Sequence, residues 1–348
     1  MVKTVLIMDV GGTNTRARII AVTADPSVNA SPIADRHAEI GDIRTLSGFV
    51  RDLVAESGRQ GWLEMAVLCC AGPVSGATVS MTNWPEPREL DLNHLIQAGL
   101  PPERTLLIND MEAACHGLMA HKSGYDRLDA TLLYPVADMD TEVRQSDNAV
   151  LIIPGTGVGT AGLLAPYPEN GQDRYLAVSC EVQHTPIPVL DAEQAHLLHA
   201  LGEKLGKVRP SWEDFISAKG LENMHACIAL NNNKTGTVLG AKEIAERAMQ
   251  YSDADCTAAL HMYYRCAGAL AQVLALSFQP YGGIYLAGAT TKKNIAFILQ
   301  SRFLSALHDN TIRGEFLKRY PVYLVSGDLN LDGAAYMASQ RLTGWRTR

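Results

Sequence analysis

The sequence predicts an α/β protein built as two domains. Strand-like apolar runs recur beside glycine turns, and helical stretches alternate with them. At 348 residues the chain is also longer than one ordinary hydrophobic core organises. The strands read at Val5–Val10, Met65–Cys69, Thr105–Ile108, Ala149–Ile153, Gly283–Ala287 and Pro321–Val325. The helices read at Met111–Ala120, Asp191–Leu205, Ala241–Met249 and Ala258–Leu276, where apolar residues return three and four positions apart. Between them lie polar segments expected to be loops: Lys122–Asn148, with many charges over Met139–Asp147, then Tyr167–Arg174 and Asn231–Thr235. The first of these marks a lobe boundary. Two glycine hairpins, around Gly11-Gly12 and at Gly155–Gly159, point to two related halves.

Composition removes several classes of function. Apolar residues make up 47% and charged residues 19%, as expected of a globular protein with a sizeable core. The net charge of −7 leaves no basic surplus to neutralise nucleic-acid or membrane phosphates. ATP stays compatible, because Mg²⁺ and backbone N–H groups neutralise it locally. The seven cysteines, Cys69, Cys70, Cys115, Cys180, Cys227, Cys256 and Cys266, show no C-x-x-C spacing. That argues against a disulfide framework or zinc site and for a reducing compartment. His196 and His199 sit three apart without a completing ligand and read as surface residues. The run Val5–Val10 is short and interrupted by Asp9, so it is neither a signal peptide nor an anchor. No stretch approaches the roughly 20 apolar residues of a membrane span. A cytoplasmic location is expected.

Four segments can carry chemistry. In Asp9-Val10-Gly11-Gly12-Thr13-Asn14 a strand ends on a carboxylate and turns through paired glycines. Glycine opens backbone conformations closed to other residues, and the turn's N–H groups can face a phosphate. Thr13 and Asn14 add neutral donors, and Asp9 can hold Mg²⁺ directly or through water. A plain Gly-Gly hairpin explains the same residues equally well. The second segment, Pro154-Gly155-Thr156-Gly157-Val158-Gly159, follows a strand and contains a G-x-G-x-x-G match over Gly157–Gly162. A dinucleotide-binding turn must open a helix, whereas Leu163–Pro168 reads as a strand ending in prolines. A second phosphate-embracing hairpin fits better. The third, Ile108-Asn109-Asp110, is a buried strand delivering two polar residues to a helix start. Locally, Asp110 reads first as the helix N-cap. The fourth is a dispersed set, Glu181, His184 and Glu213, of the residue types that read a polyhydroxylated ligand.

In combination these motifs resemble the glucokinase family. Asp9–Asn14 resembles its first phosphate motif and Gly155–Gly159 its second. Ala71–Gly76 followed by Met81–Trp84 resembles a stretch near the sugar cleft, and Ile108–Asp110 the segment bearing the catalytic aspartate. Ile284–Gly288 resembles the adenosine turn, and Leu331–Ala335 the closing connection helix. The motifs keep family order from residue 5 to about 340.

The resemblance implies a two-lobed ribonuclease-H-like (actin-like ATPase) fold with an interdomain cleft. It divides the chain into a small domain, 1–120 with 330–348, and a large one, 121–329. It also implies ATP-dependent phosphorylation of a hexose at the 6-hydroxyl, glucose first, as in glycolysis. Asn109, Asp110, Glu181, His184 and Glu213 would hold the sugar, with Asp110 as the base. Asp9, Gly11, Gly12, Thr13, Asn14, Gly155, Thr156, Gly157 and Gly288 would hold ATP and Mg²⁺. The partners are then the sugar and ATP, with a homodimer left open.

The chain departs from the family pattern in places. It reads Cys180-Glu181-Val182-Gln183-His184 where the family usually has Gly-Glu-Gly-Gly-His. It has Ser217-Ala218-Lys219-Gly220 for Ser-Gly-Pro-Gly, and Ala289 for a second glycine after Gly288. Two alternatives stay open, an N-acetylhexosamine kinase or sugar-responsive repressor of the same superfamily and a non-catalytic sugar or nucleotide sensor, the second motivated by the altered loop glycines. The missing Cys-rich cluster and a first strand starting by residue 4 count against the former. The retained Asp9 and Asp110 count against the latter.

Overall fold

The computed structural model describes residues 3–22, 32–56, 63–82, 84–125, 127–135, 147–167, 175–234 and 238–343. Asn83 and the loop segments 136–146, 168–174 and Thr235 lie outside the described residues. The chain divides into two compact units, Met1–Leu128 with Gly327–Arg348, and Asp129–Ser326. The limits drawn from sequence, 120 and 330, fall within helices Asp110–Lys122 and Leu329–Thr343.

The first unit is organised by a five-stranded sheet of β1 (Lys3–Val10), β2 (Asn14–Val22), β3 (Ala34–Glu39), β4 (Met65–Cys70) and β8 (Thr105–Asn109), in the order β3-β2-β1-β4-β8. β1 to β3 form an antiparallel meander, whereas β4 and β8 run parallel to β1. Strand alternation explains why β1 and β4 are apolar almost throughout. Leu6, Met8, Val10, Ala66, Leu68 and Cys70 enter one core. Val5, Ile7, Met65, Val67 and Cys69 enter another, with Leu331 and Ala334 of the C-terminal helix Leu329–Thr343. Helices α1 (Ile43–Glu56) and α2 (Leu92–Gln97) and a small sheet of β5 (Val74–Ser75), β6 (Thr78–Ser80) and β7 (Glu89–Asp91) accompany the first core. Helix α3 (Asp110–Lys122) packs with the C-terminal helix.

The second unit repeats this plan. Its strands are β9 (Ala130–Tyr134), β10 (Ala149–Pro154), β11 (Val158–Leu164), β12 (Leu176–Cys180), β13 (Ile284–Leu286) and β14 (Val322–Val325), ordered β12-β11-β10-β13-β14-β9. The meander β10-β11-β12 and the parallel pairs β10-β13 and β13-β14 match the first sheet strand for strand. The two glycine hairpins are thus equivalent corners of two like sheets. β9, inside the segment expected to be loop, adds an antiparallel edge to β14.

Helices α4 (Ala192–Leu205), α5 (Glu213–Ile216), α6 (Ala218–Asn231), α7 (Ala241–Met249) and α8 (Ala254–Phe278) supply most of the large core. Three short helices, Ile295–Gln300, Phe303–His308 and Gly314–Leu317, also contribute. α8 is apolar nearly all round, as a helix enclosed by others must be. The seven cysteines are free, and all but Cys180 are buried.

Candidate active site

In the first unit, the alternation that buries Ile7 carries Asp9 to the same face, towards the C-terminal helix. There Asp9 Oδ1 accepts from Asn330 Nδ2 at 3.0 Å, and Oδ2 from Arg16 at 2.6 Å. Arg16 also pairs with Asp328, 2.5 Å away. One guanidinium therefore bridges two carboxylates contributed by residues more than 300 positions apart. Burial opposes charge on Arg16, yet Asp328 and Asp9 outweigh it and its pKa ends raised. Asp328 is pushed up by burial, against the pull of Arg16.

After β1 the chain turns through Gly11–Thr13 into β2. The Gly11 N–H closes that turn on the Asn14 carbonyl at 2.9 Å, so it is spent within the loop. The glycine is needed for space rather than for a left-handed backbone. An added Cβ would lie 2.9 Å from the Asn14 oxygen, and Gly11 and Gly12 are not among the positive-φ glycines. Thr13 and Asn14 are exposed and linked by Asn14 Nδ2 donating to Thr13 Oγ1 at 3.0 Å.

At the end of β8 the structure reverses the local reading of Asp110. Asn109 caps α3, with extended backbone and a side-chain oxygen accepting the Met111 N–H at 2.9 Å. Its Nδ2 donates to the Gly72 carbonyl at 3.1 Å, tying the Ala71–Gly76 stretch to the helix start. Asp110 is the first helical residue, its Oδ1 sharing the Met111 N–H at 2.9 Å. Burial lifts its pKa to about 6; the Met111 N–H opposes the shift and the Asp9 charge adds to it. A carboxylate held near neutrality is suited to accept a proton at physiological pH.

In the second unit, Gly155 N–H closes its turn on the Gly157 carbonyl at 2.7 Å, and the Gly155 carbonyl accepts from Ala218 at the start of α6. Gly155 and Thr156 are exposed. The Val158 N–H donates to Glu213 Oε2 at 2.9 Å, and a Cβ on Gly157 would come within 2.6 Å of that oxygen. Glu213 is thus seated directly on the hairpin. Gly288, at φ +109°, lies so close to the Pro154 carbonyl that a side chain would overlap it. Here a left-handed backbone and a close approach both demand glycine. The second glycine turn, expected to hold phosphate, and the turn at Gly288, expected to hold adenosine, therefore touch. Gly157–Gly162 continues as β11 rather than a helix, which disposes of the dinucleotide-binding reading.

Glu181 follows β12 and precedes a single turn of 3₁₀ helix, Val182–His184. Its carboxylate is 76% exposed and lies 3.3 Å from His184 Nε2. The stretch after His184 is laced to the one before Glu213: Pro186 bridges Ser211, and the N–H groups of Ile187 and Trp212 donate to Pro210 and Thr185. Glu181, His184 and Glu213 are thereby gathered around one end of β11.

The sequence profile of the glucokinase family matches residues 6–341. The chain belongs to the glucokinase family. The glucokinase of Pectobacterium atrosepticum is 27% identical over 332 residues, 92% of each chain. That of Yersinia pestis is 26% identical over 325 residues, 92% of this chain and 91% of the other. Among solved structures, the glucokinase of Balamuthia mandrillaris in complex with glucose aligns with a TM-score of 0.79 at 25% identity, covering 97% and 94% of the two chains. A ROK family glucokinase from Streptomyces griseus, solved with glucose and AMPPNP, shares the fold at a TM-score of 0.64 and 20% identity, covering 97% and 99%. The expected actin-like ATPase fold class holds for this glucokinase family member.

Several residues of this family member's site escaped the sequence reading. Arg16 lies two residues past the Asp9–Asn14 motif, and Asp328 and Asn330 complete its setting from the far end of the chain. Gln183 and Thr160 form a buried pair behind Glu181 that no local pattern announces. His225, Asp253 and Cys256 bring ligand atoms within 4.8 Å of one another. These side chains have other duties: Asp253 caps α8 by accepting from Asp255 and Cys256 N–H at 2.9 and 3.2 Å. Burial, then Asp253, raises the Cys256 thiol to about 11.

Proposed function

We propose that this chain transfers the γ-phosphoryl group of ATP to the 6-hydroxyl of glucose in the cytoplasm, with Asp110 as general base. The observation that carries the assignment is the division of labour at the α3 start. Asn109 does the capping, which leaves Asp110 as a carboxylate whose burial raises its pKa to about 6. The attacking O6 forms a bond to the γ-phosphorus as the bond to the ADP oxygen breaks. Asp110 takes the hydroxyl proton, a contribution of roughly 10²–10⁴-fold. Glu181, His184, Glu213 and Asn109 read the remaining hydroxyls, since acceptor-only carboxylates suit sugar O–H donors. Among the described residues no helix is long and apolar enough to cross a membrane.

The phosphates fall to the two glycine turns. With the N–H groups of Gly11 and Gly155 spent inside their loops, the donors offered to ATP are those of Gly12, Thr13, Thr156 and Gly157, with Asn14 and Gly288 alongside. Asp9 would hold Mg²⁺ directly or through water: each of its oxygens accepts one hydrogen bond, from Asn330 or Arg16, and keeps a lone pair for a further partner. Mg²⁺ retains several waters in such sites and supplies charge neutralisation on the phosphates.

The decisive experiment is ADP release from ATP·Mg²⁺ across a panel of hexoses, with Asp110→Asn as control. Glucose-dependent turnover lost in the variant is expected. Glucose binding without turnover in the unaltered protein would instead make the chain a sensor.

A further inference from the structure

Behind the exposed Glu181 carboxylate stands a buried relay with no counterpart among the assigned site residues. Gln183 is 4% exposed and Thr160, on β11, is 2% exposed. Gln183 Nε2 donates to Glu181 Oε2 at 2.7 Å, and Gln183 Oε1 accepts from Thr160 Oγ1 at 2.7 Å. The amide can face only this way: a carboxylate accepts and never donates when ionised, so the NH₂ end must meet Glu181. Thr160 has a second acceptor in reach, the Cys180 carbonyl at 3.0 Å, on the residue before Glu181. β11 also seats Glu213 through the Val158 N–H, two residues earlier. One strand therefore steadies two carboxylates, one directly and one through Gln183.

We infer that Gln183 is a positioning residue that fixes the Glu181 carboxylate for a sugar hydroxyl, through the chain Thr160–Gln183–Glu181. This rests on the reading of Glu181 as a sugar contact. A glutamate 76% exposed would otherwise sample many rotamers and lose that freedom when sugar binds. Gln183 restrains it beforehand, holding Oε2 together with His184 and leaving Oε1 to accept from the sugar. Such preorganisation acts on sugar affinity and leaves the ATP side of the reaction untouched.

The test is a double-mutant cycle on steady-state kinetics with Gln183→Leu and Thr160→Val, and calorimetry of glucose binding beside it. Gln183→Leu keeps the buried volume, and Thr160 keeps the Cys180 carbonyl as its acceptor, so the fold should persist by circular dichroism. Its KM for glucose should rise roughly 5- to 30-fold, the loss of one charge-assisted hydrogen bond, while kcat and the KM for ATP change less than about twofold. Thr160→Val should raise the glucose KM more modestly, and add nothing once Gln183 is leucine. A folded Gln183→Leu protein with the glucose KM of the parent overturns the inference, as do additive effects in the cycle, which mark simple packing. Glu181→Gln separates the two levels. If that variant keeps the parental glucose KM, Glu181 is no sugar contact and the underlying reading fails first. If it is impaired while Gln183→Leu is not, only the relay falls.

Discussion

Replacing Asp110 by asparagine should stabilise the protein while it abolishes turnover. The carboxyl's pKa is about 6 in the folded chain against an ordinary 3.8. At about 1.4 kcal/mol per pH unit, the ionised carboxylate costs about 3 kcal/mol of stability at pH 8, an upper figure. The sign follows from the raised pKa. Below pH 4 the group is protonated in both states and costs nothing. As pH rises through 6 it ionises against the preference of its buried site, and the stability is lost. The asparagine side chain of the variant would carry no such charge and keeps an oxygen for the Met111 N–H. The measurement is denaturant unfolding of parent and Asp110→Asn at pH 4 and pH 8, with ADP release alongside. We expect little difference at pH 4, a more stable variant at pH 8, and no turnover. A variant less stable than the parent at pH 8 would refute the claim that burial, rather than a missed stabilising partner, sets this pKa.

The same titration should appear in the kinetics, with kcat/KM for glucose falling about tenfold per pH unit below pH 6; a profile flat to pH 5 would remove Asp110 as the base. Gly157→Ala places a Cβ against Glu213 Oε2, so the glucose KM should rise tenfold or more; an unchanged value would take Glu213 out of the sugar site. Arg16→Met leaves Asp9 and Asp328 facing each other without their shared cation. It should cost about 1–3 kcal/mol at pH 8, given the partial exposure of Arg16, and less at pH 4, as urea unfolding at the two pH values will show. Gly333→Ala drives a methyl into the Ala113 carbonyl, where the C-terminal helix meets α3, and should lower stability by about 2 kcal/mol, visible in Tm.

Sequence reading located the interior strands because both of their faces are buried. Val5–Val10 and Met65–Cys69 are apolar runs for a physical reason: each face of the first sheet enters a core. It missed β9, inside a segment expected to be loop. β9 is a sheet edge with Leu132 46% exposed, and a strand supported on one side need not be apolar throughout. Glycines were found in the right places for a partly different reason. At Gly11 and Gly157 the demand is room, and only at Gly288 is it also backbone conformation.

Asp110 shows where the division falls. The order of motifs along the chain, and with it the family, is a property of the sequence alone. So are the corner hairpins, since turns answer to nearest neighbours. Which of Asn109 and Asp110 caps α3 depended on backbone angles a few degrees of freedom away, and only the folded chain decided it. The completion of the Asp9 and Arg16 setting by Asp328 and Asn330, and the anchoring of Gln183 by Thr160, depended on closure over 23 to 321 positions. Hydrogen bonds of that span are selected by packing of the sheets and helices that carry them, and no local pattern of residues encodes their partners.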